Sequence, residues 1–164
     1  LQKALRQYST TQGVLFDLPN VIDAISEQER DQGGAGEARI EMIAGDFFDV
    51  ETIPAIGAGE AVVLRNVLHD WSDEKCHQIL KNLRACMHGQ GRLVLVEVGL
   101  ASNGRGHVLE QARSSLDMLM MTMFDGKERT CAALSQLVED AGFDVVEFQS
   151  TRSLFQVLEA APRA

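Results

Sequence analysis

The feature that most constrains this chain is an alternation of short apolar runs with helical stretches. Ala61-Val-Val-Leu64 and Leu93-Val-Leu-Val96 are continuous apolar runs, read as strands buried on both faces. Residues 73–87 lie between them, with Cys76, Ile79, Leu80, Leu83 and Met87 recurring at helical spacing. Ser72 or Asp73 can cap the start of that helix, and Gly89 lies just past its end. Upstream, Val14-Leu-Phe-Asp17 and Arg39 to Ile43 read as strands, with a helix over residues 20–30 carrying Val21, Ile22 and Ile25. Downstream, residues 107–123 read as a methionine-rich helix, and Thr130 caps a helix with Leu134, Leu137 and Val138, stopped by Gly142. Val145 to Phe148 and Leu154 to Leu158 close the chain as two strands. Their short link makes that pair antiparallel. The whole reads as an α/β layer fold, its sheet mostly parallel with an antiparallel hairpin at the C-terminus.

Composition removes several function classes. At 164 residues the chain fits one domain. With 45% hydrophobic and 24% charged residues it can build a core, so a disordered chain is not expected. No apolar run approaches the roughly 18 residues of a membrane span. A net charge of −9 works against a phosphate-backbone partner, because such binding needs clustered positive charge. Nucleic acid and membrane are therefore not expected partners. Cys76, Cys86 and Cys131 are an odd count without a CxxC pair, which points to a reducing compartment. A cytoplasmic location is the corresponding expectation. His69, His77, His88 and His107 show no metal-binding spacing, so no metal is expected.

Residues 31–37 and 101–106 read as loops. Gly57-Ala-Gly59, Gly89-Gln-Gly91 and Gly104-Arg-Gly106 contain GxG, but none follows a strand and opens a helix, as a phosphate cradle requires.

In open α/β sheets ligands bind beyond the carboxyl ends of the strands. Those ends deliver Asp17; Asp46 with Phe47 and Phe48; Arg65, Asn66, His69 and Asp70; and Glu97. A later loop adds Asp125, Lys127, Glu128 and Arg129. Asp17 can accept hydrogen bonds from a ribose diol, or it can cap a helix ahead of Pro19. Asp46 and Phe47 can take an adenine, or they can be a turn acid followed by a core aromatic. His69 lies among acids, which favour its protonated form and suit it to act as a general base near neutral pH. A lone histidine is more often structural or solvated.

Four segments together resemble the catalytic domain of plant-type S-adenosylmethionine-dependent O-methyltransferases, the caffeic acid, flavonoid and hydroxyindole enzymes among them. They are Gly13-Val-Leu-Phe-Asp-Leu-Pro-Asn-Val21, Ala44-Gly-Asp-Phe-Phe-Asp49, Arg65-Asn-Val-Leu-His-Asp-Trp-Ser-Asp-Glu-Lys-Cys76 and Gly126-Lys-Glu-Arg-Thr130. Leu93-Val-Leu-Val-Glu97 is a fifth, less specific match.

The resemblance implies a Rossmann-like class I methyltransferase sheet and S-adenosyl-L-methionine as cofactor. It implies that Asp17 holds the cofactor ribose, that Asp46 and Phe47 bind adenine, and that Arg65 stands at a cofactor position where the family usually has Lys. His69 would be the base that takes the proton of a substrate hydroxyl, with Glu97 and Glu128 flanking and orienting it. Asp70 would serve substrate contacts. Met118 and Met121 would flank the acceptor ring, a core stripe being the other reading of these methionines. The acceptor class is a small hydroxylated aromatic, and the full-length protein would be a homodimer.

Ahead of Leu1 the family has a strand with a glycine-rich loop and an N-terminal helical dimerisation domain, and Leu1 to Tyr8 would be the tail of the helix after that loop. Residues 1–164 are thus expected to be a partial catalytic domain whose first central strand is missing. Two rival readings accompany this one. One is a truncated, inactive methyltransferase-like module acting only through subunit pairing. The other is a Rossmann-like dehydrogenase, against which the terminal hairpin and the His-Asp-Trp segment count.

Overall fold

A computed structural model describes residues 1–25, 39–100, 114, 115, 117, 118, 120, 122, 126–151 and 153–163. They fall into two compact units, Leu1–Ile53 and Pro54–Ala164.

In the first unit, α1 (Gln2–Gln7) precedes β1 (Gly13–Asp17), α2 (Pro19–Ala24) and β2 (Ile40–Ala44). Pro19 opens α2, where its fixed φ suits a first helical turn and its missing N–H costs nothing. α2 closes at Ala24, with Ile25 extended, and residues 26–30 of the expected helix lie outside the described residues. β1 and β2 pair in parallel, Gly13 opposite Ile40 through Asp17 opposite Ala44. Arg39 donates hydrogen bonds to the carbonyls of Leu5, Tyr8 and Thr11, tying α1 and its exit to the start of β2. Gly45 follows β2 against the Phe16 ring. A Cβ there would come within 2.6 Å of Phe16 Cζ and 2.9 Å of Thr52 Oγ1.

The second unit holds β3 (Ala61–Arg65), α3 (Asp73–Cys86), β4 (Arg92–Leu100), β5 (Arg129–Thr130), α4 (Cys131–Asp140), β6 (Phe143–Ser150) and β7 (Phe155–Pro162). The strand order is β3-β4-β7-β6, with β5 also pairing β4. β4 runs parallel to β3 and β5 and antiparallel to β7. β6 and β7 form the expected antiparallel pair, longer than the apolar runs alone suggest. Ser72 caps α3 and Thr130 caps α4, each side-chain oxygen accepting a backbone N–H of the first turn. The apolar stripe of α3 (Cys76, Ile79, Leu80, Leu83) is buried, as are Leu93, Leu95, Leu134, Val138, Phe143 and Leu158.

β3 departs from expectation. Leu64 is buried, but Val63 is 60% exposed, because β3 is an edge strand of its sheet among the described residues. The six described residues within 107–123 that carry helical backbone are 114, 115, 117, 118, 120 and 122. The loops at 31–37 and 101–106 lie outside the described residues. No helix among the described residues is long and apolar enough to cross a membrane.

Gly142 takes φ +91 beyond α4, and a Cβ there would meet Arg84 Nε at 2.8 Å. That nitrogen donates a 2.8 Å hydrogen bond to the Gly142 carbonyl. Gly142→Ala is expected to lower unfolding free energy by about 1–3 kcal/mol, combining left-handed backbone strain with overpacking. Urea denaturation of the full-length protein checks this through a lower midpoint at an unchanged slope.

Candidate active site

Four polar side chains are buried among the described residues: Glu97, Glu128, Arg129 and Gln156. Three of them, Glu97, Glu128 and Arg129, converge on one turn. That turn begins where β3 ends. Asn66 takes φ +52, a left-handed conformation that Asn tolerates better than most residues. The chain then makes a short 3-10 helix, Leu68–Asp70, which carries His69.

The turn is gripped on both of its polar sides. Glu97, from β4, accepts hydrogen bonds from the N–H groups of Val67 (3.1 Å) and Leu68 (3.0 Å) through Oε1. Arg129, from β5, donates to the carbonyls of Leu68 (2.7 Å) and Trp71 (2.8 Å). The Cys76 thiol donates to Leu68 O as well, and burial pushes its pKa up to about 11. Such a thiol stays protonated and structural at neutral pH.

His69 Nδ1 lies 3.1 Å from Glu128 Oε1. A carboxylate only accepts, so Nδ1 carries the proton and Nε2 keeps the lone pair. Nε2 stands 3.4 Å from Asp70 Oδ1, and Glu97 Oε2 is 4.0 Å from Nδ1. The Glu128 hydrogen bond raises the His69 pKa, burial lowers it, and the charges of Glu97, Glu128 and Asp70 raise it; the net lies above the ordinary 6.5. Burial also raises the Glu97 pKa, against the opposing pull of the Val67 and Leu68 N–H groups. Glu97 Oε2 and Glu128 Oε2 are buried without a hydrogen-bond partner among the described residues. Two unsatisfied carboxylate oxygens beside one imidazole are costly unless the site uses them.

A small pocket opens here, lined by Leu68, His69, Glu97, Val98, Glu128 and Arg129 among others. Its cavity volume is about 10 Å³, room for roughly one water molecule.

The positions expected to meet a nucleoside lie in the first unit. Asp17 ends β1, and its Oδ1 accepts the Leu18 N–H at 2.8 Å. Asp46 follows β2, and its Oδ1 accepts the Phe48 N–H at 2.9 Å. In each carboxylate the second oxygen is left to accept from a ligand. The half-buried Phe47 ring packs edge-on against Phe48 at 5.0 Å between centroids. An acceptor at a parallel strand's carboxyl end and an acceptor beside an aromatic ring fit a ribose diol and an adenine. On this donor set the residues present fit the nucleoside half of the expected cofactor.

The remaining sequence candidates are more dispersed. Arg65 is exposed, its guanidinium 5.2 Å from the centre of the Phe155 ring. Met118 is 67% exposed, and Met121 lies outside the described residues.

Sequence reasoning missed three contributors. Asp117 accepts the Glu128 N–H at 2.8 Å and so fixes the catalytic-edge loop, yet it sits in a stretch read for its methionines. Arg129 reads as one more charge in a charged loop. Gly126 packs so close to the His69 turn that a Cβ would overlap the His69 carbonyl and come within 2.7 Å of Asp70 C. The signal for both Gly126 and Arg129 was their adjacency to Glu128 in a quoted motif.

Parallel strands delivering acids and a histidine at their carboxyl ends, closed by an antiparallel hairpin, define a Rossmann-like methyltransferase domain. The model of the O-methyltransferase domain family matches residues 1–144. The chain belongs to that family. A flavonoid 4'-O-methyltransferase of Mentha piperita is 31% identical over 163 residues, 99% of this chain and 43% of the relative. A strychnine O-methyltransferase of Strychnos nux-vomica is 34% identical over 152 residues, 91% of this chain and 39% of the relative. Human N-acetylserotonin methyltransferase, solved in complex with SAM, superimposes with a TM-score of 0.80 at 25% identity, covering 99% of this chain and 44% of that one. The chain spans less than half the length of these relatives.

Gly126→Ala is expected to displace the His69 turn, since the contact is backbone and cannot swing aside. Its melting temperature should fall, and the His69 ring resonances should move in an NMR spectrum of the full-length protein. An unshifted imidazole would show that the turn does not depend on this approach.

Proposed function

We propose that the protein transfers the methyl group of S-adenosyl-L-methionine to a hydroxyl of a small aromatic acceptor, with His69 as general base. The observation that carries this reading is the 3.1 Å contact of His69 Nδ1 with the buried Glu128 carboxylate, which leaves Nε2 as the basic ring nitrogen. The names of the relatives, which specify a flavonoid and strychnine, support an aromatic acceptor class. Pairing of two copies in the full-length protein belongs to the same reading.

When bound, the cofactor would supply an electrophilic methyl on a sulfonium, with the sulfur as leaving group. Asp17 would accept from the ribose hydroxyls; Asp46 would accept from the adenine amino group, and Phe47 would flank the base. A phenol has a pKa of about 10, so little phenolate exists at neutral pH. Nε2 of His69 would take the hydroxyl proton and so make the acceptor oxygen nucleophilic. The resulting imidazolium sits between Glu128 and Asp70, both placed to stabilise its charge. Glu97 acts through the backbone, holding the turn by the Val67 and Leu68 N–H groups.

Two measurements test the proposal. His69→Ala in the full-length protein is expected to lower kcat by about 10²–10⁴-fold, the usual contribution of a positioned base, while S-adenosylhomocysteine still binds. Turnover near normal would remove His69 as the base. The pH profile has a definite sign as well. The base works when unprotonated and its pKa is raised, so kcat/KM should climb through an acid limb centred above pH 6.5. Glu128→Gln removes the largest raising influence, so the limb should move down toward 6.5 while kcat falls. A limb that stays in place would separate Glu128 from the histidine.

A further inference from the structure

We infer that Arg129 is a positioning residue that sets the His69 imidazole against Glu128. The inference rests on the reading of His69 as the base, and the geometry behind it lies wholly within the second unit.

The Arg129 guanidinium is buried, its side chain 4% exposed, yet it does not pair with either buried glutamate. Its donors go elsewhere. Nη1 donates to Leu68 O at 2.7 Å, and Nη2 donates to Trp71 O at 2.8 Å. Nε and Nη2 donate to Asp73 Oδ1 at 3.0 and 2.7 Å. A longer Nη1 contact, 3.4 Å, returns to Lys127 O on its own segment.

Leu68 and Trp71 bracket His69 and Asp70. Their carbonyls lie at the end of a single helical turn, where acceptors have few internal partners. Lys127 and Arg129 bracket Glu128. One planar fork therefore joins the backbone on both sides of the base to the backbone on both sides of its carboxylate. Asp73, at the start of α3, anchors the outer face of the fork and itself takes a second cation, Lys127, at 2.6 Å.

Only this group meets the geometry. Arg presents five donors in a fixed plane, whereas Lys presents three from one point on a shorter reach. Lys at 129 keeps the positive charge but cannot span two carbonyls and a carboxylate together. Arg129→Lys thus alters the geometry of the turn while leaving the local charge in place.

The test uses Arg129→Lys in the full-length protein, with Asp73→Ala as a second variant. Asp73 is half exposed, so its removal loosens the outer anchor of the fork together with the Lys127 pair and threatens folding less. Three quantities are read: melting temperature, kcat and KM for both substrates, and the titration of the His69 ring by NMR without substrate.

For folded Arg129→Lys, kcat is expected to fall by about 10- to 100-fold, the scale of an ångström-level misplacement, with both KM values within about 2-fold of wild type. The His69 titration midpoint should move down toward that of a free imidazole as the Glu128 bond loosens. Asp73→Ala should shift both readouts the same way by less, and it decides the matter alone if Arg129→Lys does not fold. An unmoved His69 titration in a folded variant overturns the inference, as does an unchanged kcat. The ring titration needs no turnover. A shifted midpoint in a protein that transfers no methyl group would sustain the positioning role and sink the proposed reaction instead.

Discussion

The structure of the second unit depends on keeping three ionisable side chains out of water around one five-residue turn. Glu97, Glu128 and Arg129 are all buried, and an ion taken from water to the interior costs several kcal/mol unless its hydrogen bonds are replaced. Here the replacement comes mostly from backbone. Glu97 takes two N–H groups, Glu128 accepts from the His69 ring and is held by its own N–H on Asp117, and Arg129 gives to two carbonyls and to Asp73. The turn therefore cannot relax independently of the carboxylates, nor the carboxylates independently of the turn. Among the described residues, two carboxylate oxygens lack a hydrogen-bond partner beside His69, as the proposed proton transfer would use.

β4 makes this arrangement attainable. It pairs with β3 on one register, with β7 on another, and with β5 beyond Val98, so the segments that bear His69, Glu97 and Glu128 all hang from one strand. Gln156 on β7 adds a cross-brace, donating to Arg129 O at 3.3 Å. Gly99 lies against the Gln156 side chain, where a Cβ would come within 2.5 Å of its Cδ. A rigid frame of this kind holds reacting groups to within the tolerance catalysis demands.

Much of this was legible in the sequence. The strand and helix periodicities around 61–96 returned β3, α3 and β4, because apolar spacing and capping residues act locally. The caps at Ser72 and Thr130 fell where the residue types put them. Val63 was the instructive failure. A continuous apolar run reads as buried on both faces, but burial depends on what lies beside the strand, and that is not a property of the run. Met118, 67% exposed, does not follow the core-stripe reading: a methionine in a helical pattern carries no mark of which face meets solvent.

At the candidate site the division is sharper. The residue types at the strand ends, acids at Asp17, Asp46 and Glu97 and a histidine at His69, were fixed by the sequence and gave the chemistry its components. So did the motif that joins Gly126, Glu128 and Arg129. Only the tertiary structure decided that Glu128 meets Nδ1 of a histidine fifty-nine positions away, that Glu97 grips backbone more closely than imidazole, and that Arg129 ignores both glutamates in favour of two carbonyls. The physical reason is that periodicity and capping act over one or two turns of chain. The fate of a buried charge is set instead by whichever donors and acceptors the sheet register brings within 3 Å of it.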